Sequence, residues 1–154
     1  MPNEDIFYFA YGSNLDASRM EERTGPIVED RKARLKNHRF AFNKRAKRDG
    51  VYANAVRQLG CEVWGVAYRC DTEVLDKLDK YEGVPGGHYK RAQVEVESDN
   101  GDVIPAITYV AGSHFICPEG RPTQDYLKHI IDGAKAHGLP ANYIDQIKQL
   151  AVIP

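Results

Sequence analysis

The stretch RAQVEVESDNGDVIPAITYV, residues 91–110, decides the fold. From Arg91 to Glu97 the side chains alternate. Ala92, Val94 and Val96 face one way, and Gln93, Glu95 and Glu97 the other. That period of two marks a half-buried strand. Asn100-Gly101 follows, a pair that tight hairpin turns favour because their central residues need positive φ. Val103 to Val110 is the returning strand. Pro105 inside it removes a ladder donor and predicts an edge or a bulge. Strand follows strand here with no helix between them, unlike a βαβ unit.

Working outward, Cys61 to Arg69 holds Val63, Trp64, Val66 and Tyr68 and reads as a central strand. Tyr52 to Val56 reads as a short strand, residues 33–42 as an imperfectly alternating one, and Ile6 to Ala10 as a buried one. Asp16 caps a helix through about Thr24, which Gly25-Pro26 stops. Asp71 or Thr72 caps a second, with Val74, Leu75, Leu78 and Tyr81 on one face and Gly83 at its end. Thr123 caps a third, carrying Leu127, Ile130, Ile131 and Ala134. After Gly138 and Pro140 a short helix carries Tyr143, Ile144, Ile147 and Leu150. Strands outnumber helices and do not alternate with them. The expected class is α+β, a mixed, mainly antiparallel sheet curled into a small barrel with flanking helices.

The 154 residues fit one domain, 1–154, with a core of its own. A formal net charge of -1 excludes a polyelectrolyte. Cys61, Cys70 and Cys117 are odd in number and form no CxxC, which argues against a disulfide framework and a zinc ribbon. Reduced thiols in the cytoplasm are the expected state. Met1 to Asp5 lack the basic start and apolar run of a signal peptide, and no stretch reaches transmembrane length. No membrane partner is expected.

Two segments carry chemistry. Tyr11-Gly12-Ser13-Asn14-Leu15 is a strand-to-helix turn, which exposes backbone N–H groups suited to an anion. Gly12 lets a ligand approach the backbone. An ordinary capped turn would read the same way. Tyr81-Glu82-Gly83-Val84-Pro85-Gly86-Gly87-His88-Tyr89 places Glu82 at the end of a helix. The negative end of the helix dipole disfavours its charged form, and burial would act in the same direction. Those are conditions for a carboxylate that exchanges protons near neutral pH. A solvated glutamate before a helix stop is the bland alternative.

Phe9-Ala10-Tyr11-Gly12-Ser13-Asn14-Leu15, followed downstream by Glu82-Gly83-Val84 and Tyr89, resembles the γ-glutamyl cyclotransferase family. Glu62-Val63-Trp64-Gly65-Val66 is similar to that family's central strand. The stretch from Tyr126 to Tyr143, with its Gly-Ala-Lys and Gly-Leu-Pro elements, is similar to its C-terminal part. The matches come in family order over nearly the whole chain. The last of them favours the γ-glutamyl-amino-acid branch over the γ-glutamylamine branch. The resemblance implies a compact α+β domain around a mixed barrel. It implies conversion of a small-molecule γ-glutamyl substrate to 5-oxoproline and a free amine, without metal or other cofactor. It makes Glu82 the catalytic acid/base, Tyr11, Gly12, Ser13, Asn14 and Leu15 the cavity loop, and Tyr89 and Tyr126 pocket tyrosines. It also allows a homodimer. The Asp49 to Val56 stretch lacks the Gly-Gly pair associated with the nearest relatives, which bears on the leaving group.

Two alternatives stay open. The same chemistry can remove a γ-glutamyl protecting group from a biosynthetic intermediate. Or the fold can serve as a binding module through Arg31 to Arg48, which carry nine Lys or Arg and no acid. A nucleic-acid partner is not expected, because such domains are usually basic overall. His88 sits in the loop after Glu82, exposed or touching substrate. His129 and His137 have no metal-binding spacing. Ser13 lacks a G-x-S-x-G context, and Gly83, Gly86 and Gly87 follow a helix rather than the strand a dinucleotide fingerprint needs.

Overall fold

The structure, a computed structural model, describes residues 6–46 and 50–152. Met1 to Asp5, Lys47, Arg48 and Asp49, which the readings above include, lie outside the described residues.

Five strands close into a barrel: β1 (Ile6–Ala10), β2 (Asp30–Arg45), β3 (Val51–Cys70), β4 (Tyr89–Ser98) and β5 (Val103–Ala111), in the order β1-β3-β2-β4-β5. All neighbours are antiparallel except β1 and β5, which meet in parallel at Tyr8 and Ile107. The hairpin that decided the class is present, with Glu95 opposite Pro105 and Gly101 at φ 88° in the turn. Pro105 pairs with Glu95 with no bulge in that ladder, and it lies two residues before the single pair with β1 at Ile107, so it has no β1 partner to donate to.

The two strands expected over 52–56 and 61–69 are one. β3 runs unbroken for 20 residues. Residues 57–60 are exposed on both faces, so no apolar alternation announces them. The extra length is on β3: Lys36 pairs with Glu62 and His38 with Arg57, so residues 58–61 bulge out opposite Asn37. Asn37 takes a left-handed φ of 61°, and its side chain accepts from the Gly60 N–H at 3.2 Å. β2 likewise extends past the expected 33–42 at both ends.

Four helices flank the barrel: α1 (Ala17–Thr24), α2 (Thr72–Tyr81), α3 (Gln124–Ala136) and α4 (Ala141–Leu150). Asp16, Asp71 and Thr123 cap the first three through their side chains, as the sequence predicts. Phe9, Leu15, Val63, Val66, Leu78 and Ile130 are fully buried where strands and helices meet. α3 presses directly on the turn after β1. A Cβ on Gly133 would lie 2.3 Å from the Leu15 carbonyl carbon and 2.4 Å from its oxygen. Only glycine lets the helix and the turn approach this closely.

Gly133→Ala is therefore expected to lower the unfolding free energy by about 1–3 kcal/mol, the usual cost of overpacking. Urea denaturation measures it, and an unchanged midpoint would contradict the contact.

Candidate active site

β1 delivers the chain into Gly12 and then a single 3₁₀ turn, Ser13–Leu15. The turn's own bonds are Leu15 N–H to Gly12 O at 3.0 Å and Asp16 N–H to Ser13 O at 3.1 Å. Among the described residues, nothing accepts from the N–H groups of Gly12, Ser13 or Asn14. Those three donors stand at one wall of a cavity of about 120 Å³.

Glu82 lines the same cavity. It is the residue that ends α2, with its own N–H bonded to Leu78 O at 2.8 Å. Gly83 then turns left-handed at φ 67°, which stops the helix and sends the loop over the cavity. Among the described residues, no group hydrogen-bonds the Glu82 carboxylate. Solvent reaches its half-buried side chain, and protein packs round the rest. Burial pushes its carboxyl from the ordinary 4.5 up to about 7, and the charges of Arg23, Lys44 and Arg19 oppose that rise.

Tyr11, Gly12, Ser13, Asn14, Glu82, Tyr89 and Tyr126 all line this one cavity. Leu15 does not: its side chain is fully buried in the core and its N–H is committed to Gly12. Tyr11 donates to Tyr109 O, and Tyr89 to Ala53 O at 2.7 Å, so both phenol protons are spent. Tyr126 accepts from the Ala53 N–H at 3.0 Å, and Tyr8 from Asn14 Nδ2 at 3.0 Å. Each of those two keeps an O–H to offer the cavity. Burial raises the pKa of all four phenols, so they stay protonated.

Sequence reasoning missed the cations. Arg19 and Arg23 of α1 and Lys44 of β2 line the cavity. The first two stand four apart, one turn of helix, so they share a face. A register shift between Phe42 and Lys44 breaks the alternation there, and the Lys44 side chain is almost wholly buried. Lys44 Nζ donates to Arg45 O at 2.7 Å and to His88 Nδ1 at 2.8 Å, and it faces the Tyr52 and Tyr89 rings. His88 is thus half-buried, stacked on Phe115 at 3.9 Å, rather than loose in its loop. Among the described residues, most of the remaining basic run is paired with acids from elsewhere: Arg31 with Asp102, Lys32 with Asp99, Arg34 with Glu62 and Glu97, Lys36 with Glu97 and Arg39 with Glu119, while Arg45 donates to His114 O. Among the described residues, no three His, Cys, Asp or Glu come together as metal ligands. No helix of the described residues is long and apolar enough to cross a membrane.

Comparison with known proteins agrees with this geometry. Residues 62–147 match the model of the AIG2-like family. The chain is 34% identical to the human γ-glutamylcyclotransferase, over 97% of this chain and 81% of that protein. It is 29% identical to a putative γ-glutamylcyclotransferase of Bacillus subtilis, over 94% of this chain and 51% of that protein. A solved γ-glutamyl cyclotransferase superposes with a TM-score of 0.85 at 31% identity, covering 94% of this chain and 87% of that one. A yeast cyclotransferase described as specific to glutathione shares the fold, with a TM-score of 0.72 at 11% identity. Sequence, fold and cavity point the same way, and the chain belongs to the AIG2-like family of γ-glutamylcyclotransferases.

Proposed function

We propose that this protein is a γ-glutamyl cyclotransferase in which Glu82 moves the protons of ring closure. The observation that carries the reading is a lone carboxylate, with a pKa near 7, facing three cations and three unspent backbone donors in one cavity. A γ-glutamyl amide brings its own nucleophile, the α-amine, and its own electrophile, the γ-carbonyl.

At neutral pH the α-amine is an ammonium ion. Glu82 takes one of its protons, and the nitrogen lone pair attacks the γ-carbonyl carbon, closing a five-membered ring. Negative charge moves to the carbonyl oxygen, where the N–H groups of Gly12, Ser13 and Asn14 are suited to receive it. Protonated Glu82 hands its proton to the amide nitrogen, and the carbon–nitrogen bond to that nitrogen breaks. The ring nitrogen still carries an extra proton. This passes by way of Glu82 to the departing amine and regenerates the carboxylate. The products are 5-oxoproline and the ammonium form of the leaving amine. The pocket also has to fold the substrate back on itself, which is the entropic part of the catalysis.

Arg19 is the best-suited group for the substrate's α-carboxylate. Its Nε is buried in the cavity wall with no partner among the described residues. Burial, with the like charge of Arg23, pulls its pKa below the ordinary value, so an anion there would relieve both. Arg23 is more committed, donating to Asn14 Oδ1 at 3.2 Å and lying over the Tyr81 ring. Tyr52 packs against Tyr126 with ring centroids 4.7 Å apart, in the 49–56 stretch that carries no Gly-Gly pair. That wall supports a leaving group of particular shape, including one that belongs to a protected biosynthetic intermediate. Cys61, Cys70 and Cys117 are unpaired thiols, which supports a reducing, cytoplasmic setting.

Three outcomes test this. Glu82→Gln should fold normally and lose on the order of 10²–10⁴-fold in 5-oxoproline release from γ-glutamyl-alanine; a folded, fully active variant would sink the assignment. In wild type, kcat/KM should fall as pH drops through about 7, because Glu82 must begin as a carboxylate. Stability should move the other way. The folded pKa lies above the unfolded one, so the folded state holds an extra proton between pH 4.5 and about 7. Stability is full below that window and is lost across it, by about 3 kcal/mol. Glu82→Gln should therefore be more stable than wild type at pH 8 and equal to it at pH 4, as read by urea denaturation at the two pH values.

A further inference from the structure

Arg19 does not reach the cavity unsupported. Its Nη1 lies 3.1 Å from His129 Nε2, on α3. His129 Nδ1 lies 2.8 Å from Asp16 Oδ2. The other oxygen of Asp16 accepts the Ser18 N–H at 3.0 Å and caps α1. Arg19 lines the cavity, and His129 and Asp16 do not.

The chemistry of these groups fixes where the protons sit. A guanidinium has only donors. His129 Nε2 must therefore accept and carry a lone pair. The proton of the neutral imidazole is then on Nδ1, facing the Asp16 carboxylate, which can only accept. Each member leaves the next a single orientation. The cap holds the carboxylate, the carboxylate fixes the tautomer, and the tautomer pins one arm of the guanidinium. The Nε is left buried and unpartnered among the described residues, on a side chain that lines the cavity.

We propose that Asp16 and His129 are positioning residues for substrate binding. They hold the Arg19 guanidinium in the orientation that receives the carboxylate of the γ-glutamyl unit. This rests on the reading, given above, that Arg19 meets that carboxylate. The competing account makes the same three residues a staple between α1 and α3, with no bearing on affinity.

Asp16→Asn separates the two accounts. Asparagine caps helices as well as aspartate does. The cap keeps the amide oxygen on Ser18, so the amide nitrogen faces His129 Nδ1. Two donors cannot share that contact, so the imidazole proton moves to Nε2 and confronts the Arg19 N–H. The polar contacts are inverted while the shape is kept. His129→Leu removes the middle member, and His129→Gln restores one donor and one acceptor.

The experiment measures KM and kcat for γ-glutamyl-L-alanine with wild type, Asp16→Asn, His129→Leu, His129→Gln and Arg19→Gln. Thermal midpoints are recorded for each. Calorimetric binding of the same compound is measured with wild type and each variant placed on Glu82→Gln. Histidine-labelled ¹⁵N spectra give the His129 tautomer. Asp16→Asn and His129→Leu should raise KM and Kd about tenfold, the worth of a hydrogen bond to a charged group, with kcat within about twofold. His129→Gln should recover most of the loss. The tautomer should be Nδ1–H in wild type and Nε2–H in Asp16→Asn. An Nε2–H tautomer in wild type overturns the proposal whatever the kinetics. So does a KM that rises in Arg19→Gln but not in Asp16→Asn or His129→Leu, which would leave the Arg19 reading standing. An unchanged KM in Arg19→Gln removes that reading and the relay with it. Absence of both turnover and binding with the parent proteins overturns the activity itself, and the positioning role falls with it.

Discussion

β1 is only five residues long, yet the site hangs from it. It is held on one side by a full antiparallel register with β3, from Ile6 opposite Cys70 to Ala10 opposite Val66. On the other side a single parallel contact at Ile107 closes the barrel. Two side chains reinforce that thin seam: Thr108 donates to Phe9 O at 2.7 Å, and Tyr11 to Tyr109 O. Because β1 is pinned on both edges, the turn that follows leaves the barrel at a fixed point. Gly133 of α3 then presses on that turn from outside. The three unspent N–H groups are therefore presented by a backbone clamped between sheet and helix. Preorganised donors of this kind cost no reorganisation when charge appears before them.

The electrostatics of the cavity follow from burial. A carboxylate sunk without a hydrogen-bond partner resists ionisation, and three nearby cations restore only part of what water would have supplied. The balance lands near neutrality. The same imbalance loads the folded protein with groups that would be better solvated elsewhere. Burial leaves Arg19 and Glu82 both short of solvation, and on the function proposed above a substrate carrying a carboxylate and an ammonium group would complement both. Binding energy and stability thus draw on one set of contacts, as sites that strain their scaffold commonly do.

Much of the architecture was legible because it is written locally. Asp16, Asp71 and Thr123 announced their helices, and Asn100-Gly101 announced its hairpin. The helix end placed Glu82, but a solvated glutamate would read the same way, and it was the family resemblance that singled it out. What stayed hidden depends on contacts distant in sequence. Residues 57–60 look like a loop because neither face is buried, and 58–61 do bulge out of the ladder, tied back at Gly60 by the side chain of Asn37. Lys44 sat unremarked in a basic run until the barrel turned it inward, while its neighbours Arg31, Lys32, Arg34 and Arg39 turned outward to acids on other strands and in loops. Arg19 looked like any exposed helix residue, because its partner His129 is 110 positions away. Leu15 was grouped with the cavity by its position in a motif, and the structure gives it to the core.

The end of α2 divides the chain around Glu82 into two mechanical regimes. Before it lies a helix whose pitch sets the direction of every side chain, and after it a left-handed glycine and a turn whose backbone carries no such phase. One residue added within Thr72–Tyr81 would swing Glu82 through about 100° around the helix axis and carry its carboxyl out of the cavity. One residue added after Gly83 would leave that direction untouched and change only the loop beside the cavity. The acid is thus intolerant of length on one side and indifferent to it on the other, and that loop is the part of this site open to revision by insertion.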